Sequence, residues 1–534
     1  MSKLNSMDFL SRRSVVRAHN GIVAASQPLA ATAGLRMLLQ GGNAIDAAIA
    51  AAAVLNVVEP MSTGIGGDMF ALIWIAREQK LYALNGSGRA PAALTIQECR
   101  KRGATHEMPL TGWLPVTVPG TVDGWAQALE RFGTMKFAEA LQPAIHYAES
   151  GFPVSEIIQA HWANAQPKLD MNPGAARAYL HRDEPPRVGQ IHKQPDLAKT
   201  LRALAQGGRD VFYRGEIADA IAKFAYATGG LLTKQDLANH TSTWDEPIAT
   251  TYHDVTLYEC PPNGQGVVAL EALNLLEGFG LRELEHNSVE YLHLIIESLK
   301  LAFADAFAHV ADPRVVSVPT AQMLDKTYAA RRRALIDPAH AMELPHSGIQ
   351  GSDTIYLAAV DGERNCVSFI NSLYDSFGSG IVIPDTGICL QNRGANFSLD
   401  PQAPNALAPN KRPYHTLIPA LAFKNNAPWL AFGVMGGFMQ PQGHVQVLLN
   451  VNDFKLDPQR ALDAPRVRIY GDGTVALEDA FDNDTRLGLQ ARGHKLLQAE
   501  TDEFGGGQMI LLDPETGALA AGSDPRKDGC AVGY

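Results

Sequence analysis

Apolar and polar positions follow two rhythms along this chain. Leu29 to Gln40 carries apolar residues at helical spacing and stops at Gly41-Gly42, glycines suited to a left-handed helix end. Asn43 then caps an Ala-rich helix running to Val58, and glycines follow at 64, 66 and 67. Leu72 to Leu84 reads as a hairpin feeding a sheet. Thr121 to Ala222 is mostly helical in pattern, interrupted by Asp170 to Pro195, a Pro-, Gly- and charge-rich span expected to be an exposed loop. Residues 252–260 read as a strand, with a turn at Pro261-Pro262-Asn263-Gly264. Ser288 caps an amphipathic helix to His309, with Leu292, Ile295, Ile296, Leu299 and Phe303 on one face. Beyond Thr354 the pattern changes to short strands and turns. Helix-rich and strand-rich parts of this kind fit layers of helix on sheet. The change at 353/354 need not divide two domains, because both pieces can share one core.

Composition narrows the function classes. The 534 residues are 46% hydrophobic and 19% charged, ordinary for a globular enzyme. A net charge of −11 argues against nucleic acid and anionic membrane surfaces as partners. The five cysteines are scattered without a CxxC, so neither a disulfide framework nor a zinc site is expected. The sixteen histidines show no metal-ligand spacing, and neither a metal nor a cofactor is expected. Ala44 to Val58 is broken by Asp46 and Asn56 and is too short to span a bilayer. No apolar core follows Arg12-Arg13, so a cleaved signal is not expected. The expectation is a cytoplasmic protein.

The chemistry centres on Gly351-Ser352-Asp353-Thr354-Ile355-Tyr356, where a polar run ends and an alternating strand begins at a threonine. A cut between Asp353 and Thr354 would leave a hydroxyl nucleophile with its own α-amine beside it as base, the amine having a reference pKa of about 7.7–8.0. Ser372, on the next strand-like segment before a turn at Gly378 to Gly380, would return beside Thr354 in a hairpin. A plain cross-strand Ser–Thr pair explains that spacing equally well. Gly436-Gly437, after the apolar Leu430 to Met435, can present backbone N–H groups to an oxyanion, although paired glycines after a strand are more often only a turn. Gly64-Ile65-Gly66-Gly67-Asp68 lacks the Lys-Ser/Thr of a phosphate loop. Candidate substrate anchors are Arg89, Arg393 and Lys411-Arg412. Arg393 lies in a segment otherwise free of charge.

These segments together resemble the γ-glutamyltranspeptidase family of N-terminal nucleophile hydrolases over nearly the whole chain. The resemblance is carried by Gly21-Ile22-Val23-Ala24-Ala25-Ser26-Gln27-Pro28, Gly41-Gly42-Asn43-Ala44-Ile45-Asp46 and Val58-Glu59-Pro60 with Gly64-Ile65-Gly66-Gly67. Val118-Pro119-Gly120-Thr121-Val122-Asp123-Gly124-Trp125, Gly229-Gly230-Leu231-Leu232-Thr233 and Lys411-Arg412-Pro413 extend it. It implies an α/β fold, a four-layer αββα sandwich, from a precursor that cleaves itself before the nucleophile. The parts would be a large subunit, 1–353, and a small one, 354–534, interleaved in one compact unit and staying associated, alone or as a homodimer. The family's catalytic threonine falls on Thr354, its supporting hydroxyl on Ser372 and its oxyanion glycines on Gly436 and Gly437.

Departures from the family pattern concern the substrate. Where γ-glutamyl enzymes place an amide and a carboxylate for the donor's ammonium, Arg393 and Asn396 stand here. His415 and Thr416 replace two serines, Tyr374 replaces an asparagine, and the family's carboxylate-binding arginine aligns nearer Ser87 than Arg89. A cation where an ammonium should dock disfavours γ-glutamyl donors. Arg393 suits a carboxylate instead, as a bidentate clamp. The expected substrate is a small carboxylate-bearing amide, with substrate-binding residues Arg393, Asn396, Arg89, Tyr374, His415 and Thr416. A family branch containing oxamate amidohydrolase, of purine degradation, has this profile, so the resemblance makes oxamate, cleaved to oxalate plus ammonia through an acyl-enzyme, the expected substrate, and a glutaryl amide fits nearly as well. The alternatives are a γ-glutamyl hydrolase or transferase, and a processed but inactive scaffold.

Overall fold

The computed structural model describes residues 13–343 and 353–534. The apolar rhythms resolve into four layers. The first sheet has seven strands in the order Cys530–Gly533, β1 (Ile22–Ala25), β3 (Asp353–Val360), β4 (Cys366–Tyr374), β2 (Asp68–Ile75), Lys80–Asn85 and Thr243–Asp245. The second, also of seven, runs Val16–Ala18, Leu519–Ser523, Gly506–Leu512, β5 (Ala427–Met435), Ala420–Lys424, Val255–Glu259 and Ile248–Tyr252. Every pairing in both sheets is antiparallel.

The strands of the first sheet's middle are apolar on both faces because both faces are covered. All eight residues of β2 and all nine of β4 are buried. One face meets the second sheet through Phe70, Leu72, Tyr356, Ile370, Leu421, Met435 and Ile510. The other receives α1 (Pro28–Leu39) and α2 (Ala44–Val58). Every residue of α2 is buried, so its alanines let backbone approach closely on all sides. An Asn43–Asp46 capping box starts it. On the far side of the second sheet lie α3 (Gly266–Leu276), α4 (Val289–His309) and α5 (Met439–Asn452). The four-layer α/β arrangement expected from the sequence is therefore present.

Two expectations need correcting. Asp170 to Pro195 is not wholly loop. Pro173–Tyr179 is helical, started by Asn172 accepting the Gly174 and Ala175 N–H groups, and Tyr179 is buried. The part after Thr354 also holds helices, α5 above all. Among the described residues no helix is long and apolar enough to cross a membrane.

The first sheet mixes residues from before and after position 354. β1 lies between β3 and Cys530–Gly533, pairing Val23 with Ala359 on one side and with Val532 on the other. β2 then borders β4.

Candidate active site

Thr354 stands at the start of β3, buried at 2% exposure. The β3–β4 hairpin brings Ser372 to it. Register runs from Val360–Cys366 to Ile355–Asn371, then slips before Asp353–Tyr374. At that irregularity Thr354 Oγ1 donates to Ser372 Oγ at 3.2 Å, and Ser372 Oγ accepts the Tyr374 N–H at 2.7 Å. Gly351 and Ser352, on the other side of the expected cut, lie outside the described residues.

Ser372 is also the cross-strand partner of Asp68, the first residue of β2. The glycines before Asp68 have a packing reason. A Cβ on Gly66 would run into the Cys389 carbonyl, and one on Gly67 into the Ser372 carbonyl. The Gly-rich segment thus seats backbone against β4 and against Cys389.

Gly436 and Gly437 form the link from β5 to α5, with φ of +114° and +62°, values that favour glycine. The Gly436 carbonyl accepts the Met439 N–H at 3.0 Å, and the Gly437 carbonyl accepts Gln265 Nε2 at 2.9 Å and the Gln440 N–H at 3.2 Å. Because the peptide is planar and trans, pinning the Gly436 carbonyl towards the helix turns the Gly437 N–H the other way. The positive end of α5 lies behind it.

Arg393 has no solvent exposure. Its Nη1 donates to Thr416 Oγ1 at 2.6 Å and its guanidinium lies 4.5 Å over the Tyr374 ring. Its Nε and Nη2 are buried without a hydrogen-bond partner. Tyr374 ends β4 with φ of +84°, unusual for a large residue, and this places its ring beneath the cation. Burial lowers the Arg393 pKa to about 10, with Asp68 opposing the shift, so the group stays charged at neutrality. Thr416 also ties Arg393 to the Gly436-Gly437 turn: its carbonyl accepts Gln265 Nε2 at 2.9 Å, the same amide that holds Gly437.

Beside these groups opens a cleft of about 360 Å³, lined by Tyr374, Asn396, Phe307, Tyr414 and Phe438 among others. Tyr414, Phe307 and Phe438 form a triangular aromatic cluster, with ring centroids 5.7 to 5.9 Å apart. Phe438 directly follows Gly436-Gly437. Asn396 faces this cleft and donates to the Tyr414 carbonyl at 3.2 Å.

The other expected anchors are placed differently. Arg89 is half-buried, and the charges that act on it are those of Arg314, Asp312 and Asp123. Lys411 Nζ is bound to the Pro404 and Ala406 carbonyls, and Arg412 to the Ser87 carbonyl and Thr243 Oγ1, so both tie loops together. His415 lies behind Arg393. Its Nε2 donates to Asp68 Oδ2 at 3.0 Å and its Nδ1 accepts the Leu417 N–H at 3.2 Å, a neutral tautomer fixed from both sides. Burial and the two arginines 393 and 412 hold its pKa well below the usual histidine range. Among the described residues one group has metal-ligand composition, His293, Glu297 and His494. There the two imidazoles hydrogen-bond at 2.8 Å and Glu297 pairs with Lys300 at 2.8 Å.

Sequence reasoning missed Asp68, Gln265 and Phe438. The signal for Asp68 was a lone carboxylate opening an otherwise apolar strand.

The chain matches the γ-glutamyltranspeptidase family profile over residues 30–534. It is 38% identical to the glutathione hydrolase-like YwrD proenzyme of Bacillus subtilis, over 95% of this chain and 97% of that one. It is 37% identical to the oxamate amidohydrolase proenzyme of Klebsiella pneumoniae, over 96% and 98%. Its fold superposes on the crystal structure of cephalosporin acylase from Bacillus halodurans with a TM-score of 0.95 at 46% identity, covering 100% of this chain and 99% of that one. With so much of its length matched in sequence and in fold, this chain belongs to the γ-glutamyltranspeptidase family, whose members include proenzyme hydrolases and acylases and a γ-glutamyltranspeptidase.

Proposed function

We propose that this protein is a self-processing N-terminal-threonine amidohydrolase for monoamides of short dicarboxylic acids. The observation that carries this reading is Arg393: a charged guanidinium, wholly buried beside the Thr354–Ser372 pair, with two N–H donors unsatisfied. Two unused donors on a buried cation suit a carboxylate, and repel the ammonium of a γ-glutamyl donor.

Processing comes first. Thr354 Oγ attacks the Asp353 carbonyl, its proton passing towards Ser372, and the Asp353–Thr354 amide becomes an ester. Water opens the ester, leaving fragments 1–353 and 354–534 and a free amine on Thr354. That amine then deprotonates the same hydroxyl as it attacks the substrate amide. The Gly437 N–H, oriented by the Met439 bond to the preceding carbonyl, stabilises the oxyanion. The amine leaves, and water releases the acid from the acyl-enzyme.

Oxamate is the smallest monoamide of this class, and the relatedness to an oxamate amidohydrolase supports it. The aromatic cleft favours a larger substrate, because a two-carbon acid amide leaves most of that wall bare. Glutaryl amides are therefore the preferred substrates, with oxamate second. The experiment is product release by the processed enzyme from a glutaryl anilide, from oxamate and from a γ-glutamyl anilide, in parallel. Turnover of either ammonium-free substrate above the γ-glutamyl one is expected. Preference for the γ-glutamyl anilide would overturn the reading.

A further inference from the structure

Asp68 is fully buried, yet it is turned away from the cation it accompanies. Oδ1 accepts the Gly88 N–H at 3.1 Å and Gln391 Nε2 at 2.8 Å, and Oδ2 accepts His415 Nε2–H at 3.0 Å. No salt bridge joins it to Arg393 among the described residues, and the buried Arg393 Nε and Nη2 have no hydrogen-bond partner. Asp68 thus supplies charge to the site without occupying the donors a ligand needs. We propose that Asp68 is the positioning residue of the Arg393 clamp: it balances the guanidinium in the empty site and takes up one solvent proton when a substrate carboxylate docks there. This rests on the reading of Arg393 given above.

The reason is a charge count. Arg393 and Arg412 are the cations that act on Asp68, and His415 is held neutral by the Leu417 N–H at its other nitrogen. Tyr213, whose phenol burial keeps un-ionised at neutrality, also faces it. Arg412 is already committed to loop carbonyls, so a docking carboxylate and Asp68 share Arg393. Two carboxylates sharing one cation out of water do not both stay ionised. Burial already raises the Asp68 carboxyl to about 7, against the pull of Arg393 and its hydrogen bonds, so a second anion tips it over. The step is simple: hydronium gives its proton to Asp68, on the Oδ2 lone pair not engaged by His415, and water leaves. No other bond changes.

Carboxylate affinity then falls with rising pH, KM for the amide growing about tenfold per unit above pH 7 until the bound-state pKa is reached, while kcat follows the Thr354 amine instead. A substrate ammonium docking near Asp68 would do the opposite and hold it ionised.

The test is calorimetric titration of processed enzyme with glutarate at pH 7.5, in phosphate and in Tris, whose ionisation enthalpies differ. Uptake of roughly 0.7 proton per glutarate is expected from a free carboxyl near 7, with a protonated-carboxyl band appearing in the infrared difference spectrum. In Asp68→Asn the uptake and the band should both vanish and the KM–pH slope should flatten. Binding without proton uptake overturns the proposal alone. Uptake persisting in Asp68→Asn assigns the proton to the Thr354 amine and also overturns it. If Asp68→Asn does not process, the wild-type infrared band decides, since the amine contributes none there. Failure of glutarate and oxalate to bind would remove the Arg393 reading and this proposal with it.

Discussion

Replacing Arg393 with methionine should separate binding from folding in opposite directions. In the wild type the guanidinium is fully buried, with one side-chain hydrogen bond, to Thr416, and two unpartnered donors. A carboxylate meeting those two donors gains charge-assisted hydrogen bonds worth about 1.5–3 kcal/mol each. Losing both, partly offset by not having to strip water from a cation, raises KM by roughly 3–4 kcal/mol, or two to three orders of magnitude. kcat should change little, because the clamp holds ground and transition states alike. The free enzyme should gain, since each buried N–H without a partner costs about 1–3 kcal/mol and methionine fills similar space without donors. Against the lost attraction to Asp68 the net is a gain of about 1–2 kcal/mol, seen as a Tm rise of a few degrees at most. The assays are glutaryl anilide kinetics and scanning calorimetry at one scan rate, because a protein of this size, cut in two as proposed, is not expected to unfold reversibly. A KM within threefold of wild type, or a Tm lower by several degrees, would show that Arg393 is a structural ion and no clamp.

Purified wild-type protein should show two fragments, the smaller with a mass beginning at Thr354, and Thr354→Ala should stay one chain; an intact wild-type chain in mass spectrometry would end the catalytic scheme. For Asp68→Asn, stability relative to wild type should grow with pH. The folded-state carboxyl is raised from 3.8 to about 7, so ionising it weighs on the fold progressively from about pH 4 to pH 7, by no more than about 4 kcal/mol. Tm values at pH 5 and pH 8 that differ equally between variant and wild type would contradict this. Gly66→Ala should yield no soluble folded protein, because its Cβ would be driven into the backbone carbonyl of Cys389; an active, soluble variant would show that this segment yields more than its packing allows.

Much of this architecture could be read from the residues alone because local rules and tertiary packing agree. Asn43 before an alanine run, Ser288 before Leu292 and Ile295, and the two apolar runs either side of the Asp361-to-Asn365 turn all fold as their patterns dictate. The Thr354–Ser372 meeting was legible for the same reason, being one hairpin's register. What failed was reach. Arg89 and Arg393 look alike as lone arginines near glycines. Only the tertiary fold turns one to Asp312 and Arg314 and buries the other over Tyr374. Asp68 was passed over within a glycine motif because its partners, Gln391 and His415, are more than three hundred positions away.

The alternation of segments in the first sheet has a consequence for the enzyme's lifetime. With the proposed cut at 353/354, β1 and β2 precede it and β3, β4 and Cys530–Gly533 follow it, so the fragments cannot part without breaking three ladders of this sheet. While folded, the cut chain loses nothing. Once unfolded, it has lost the covalent tether that kept its halves at high effective concentration, and must find its partner by diffusion with aggregation competing. On the proposed processing, the precursor can fold more than once whereas the cut enzyme cannot, and lost activity returns only with a newly synthesised chain.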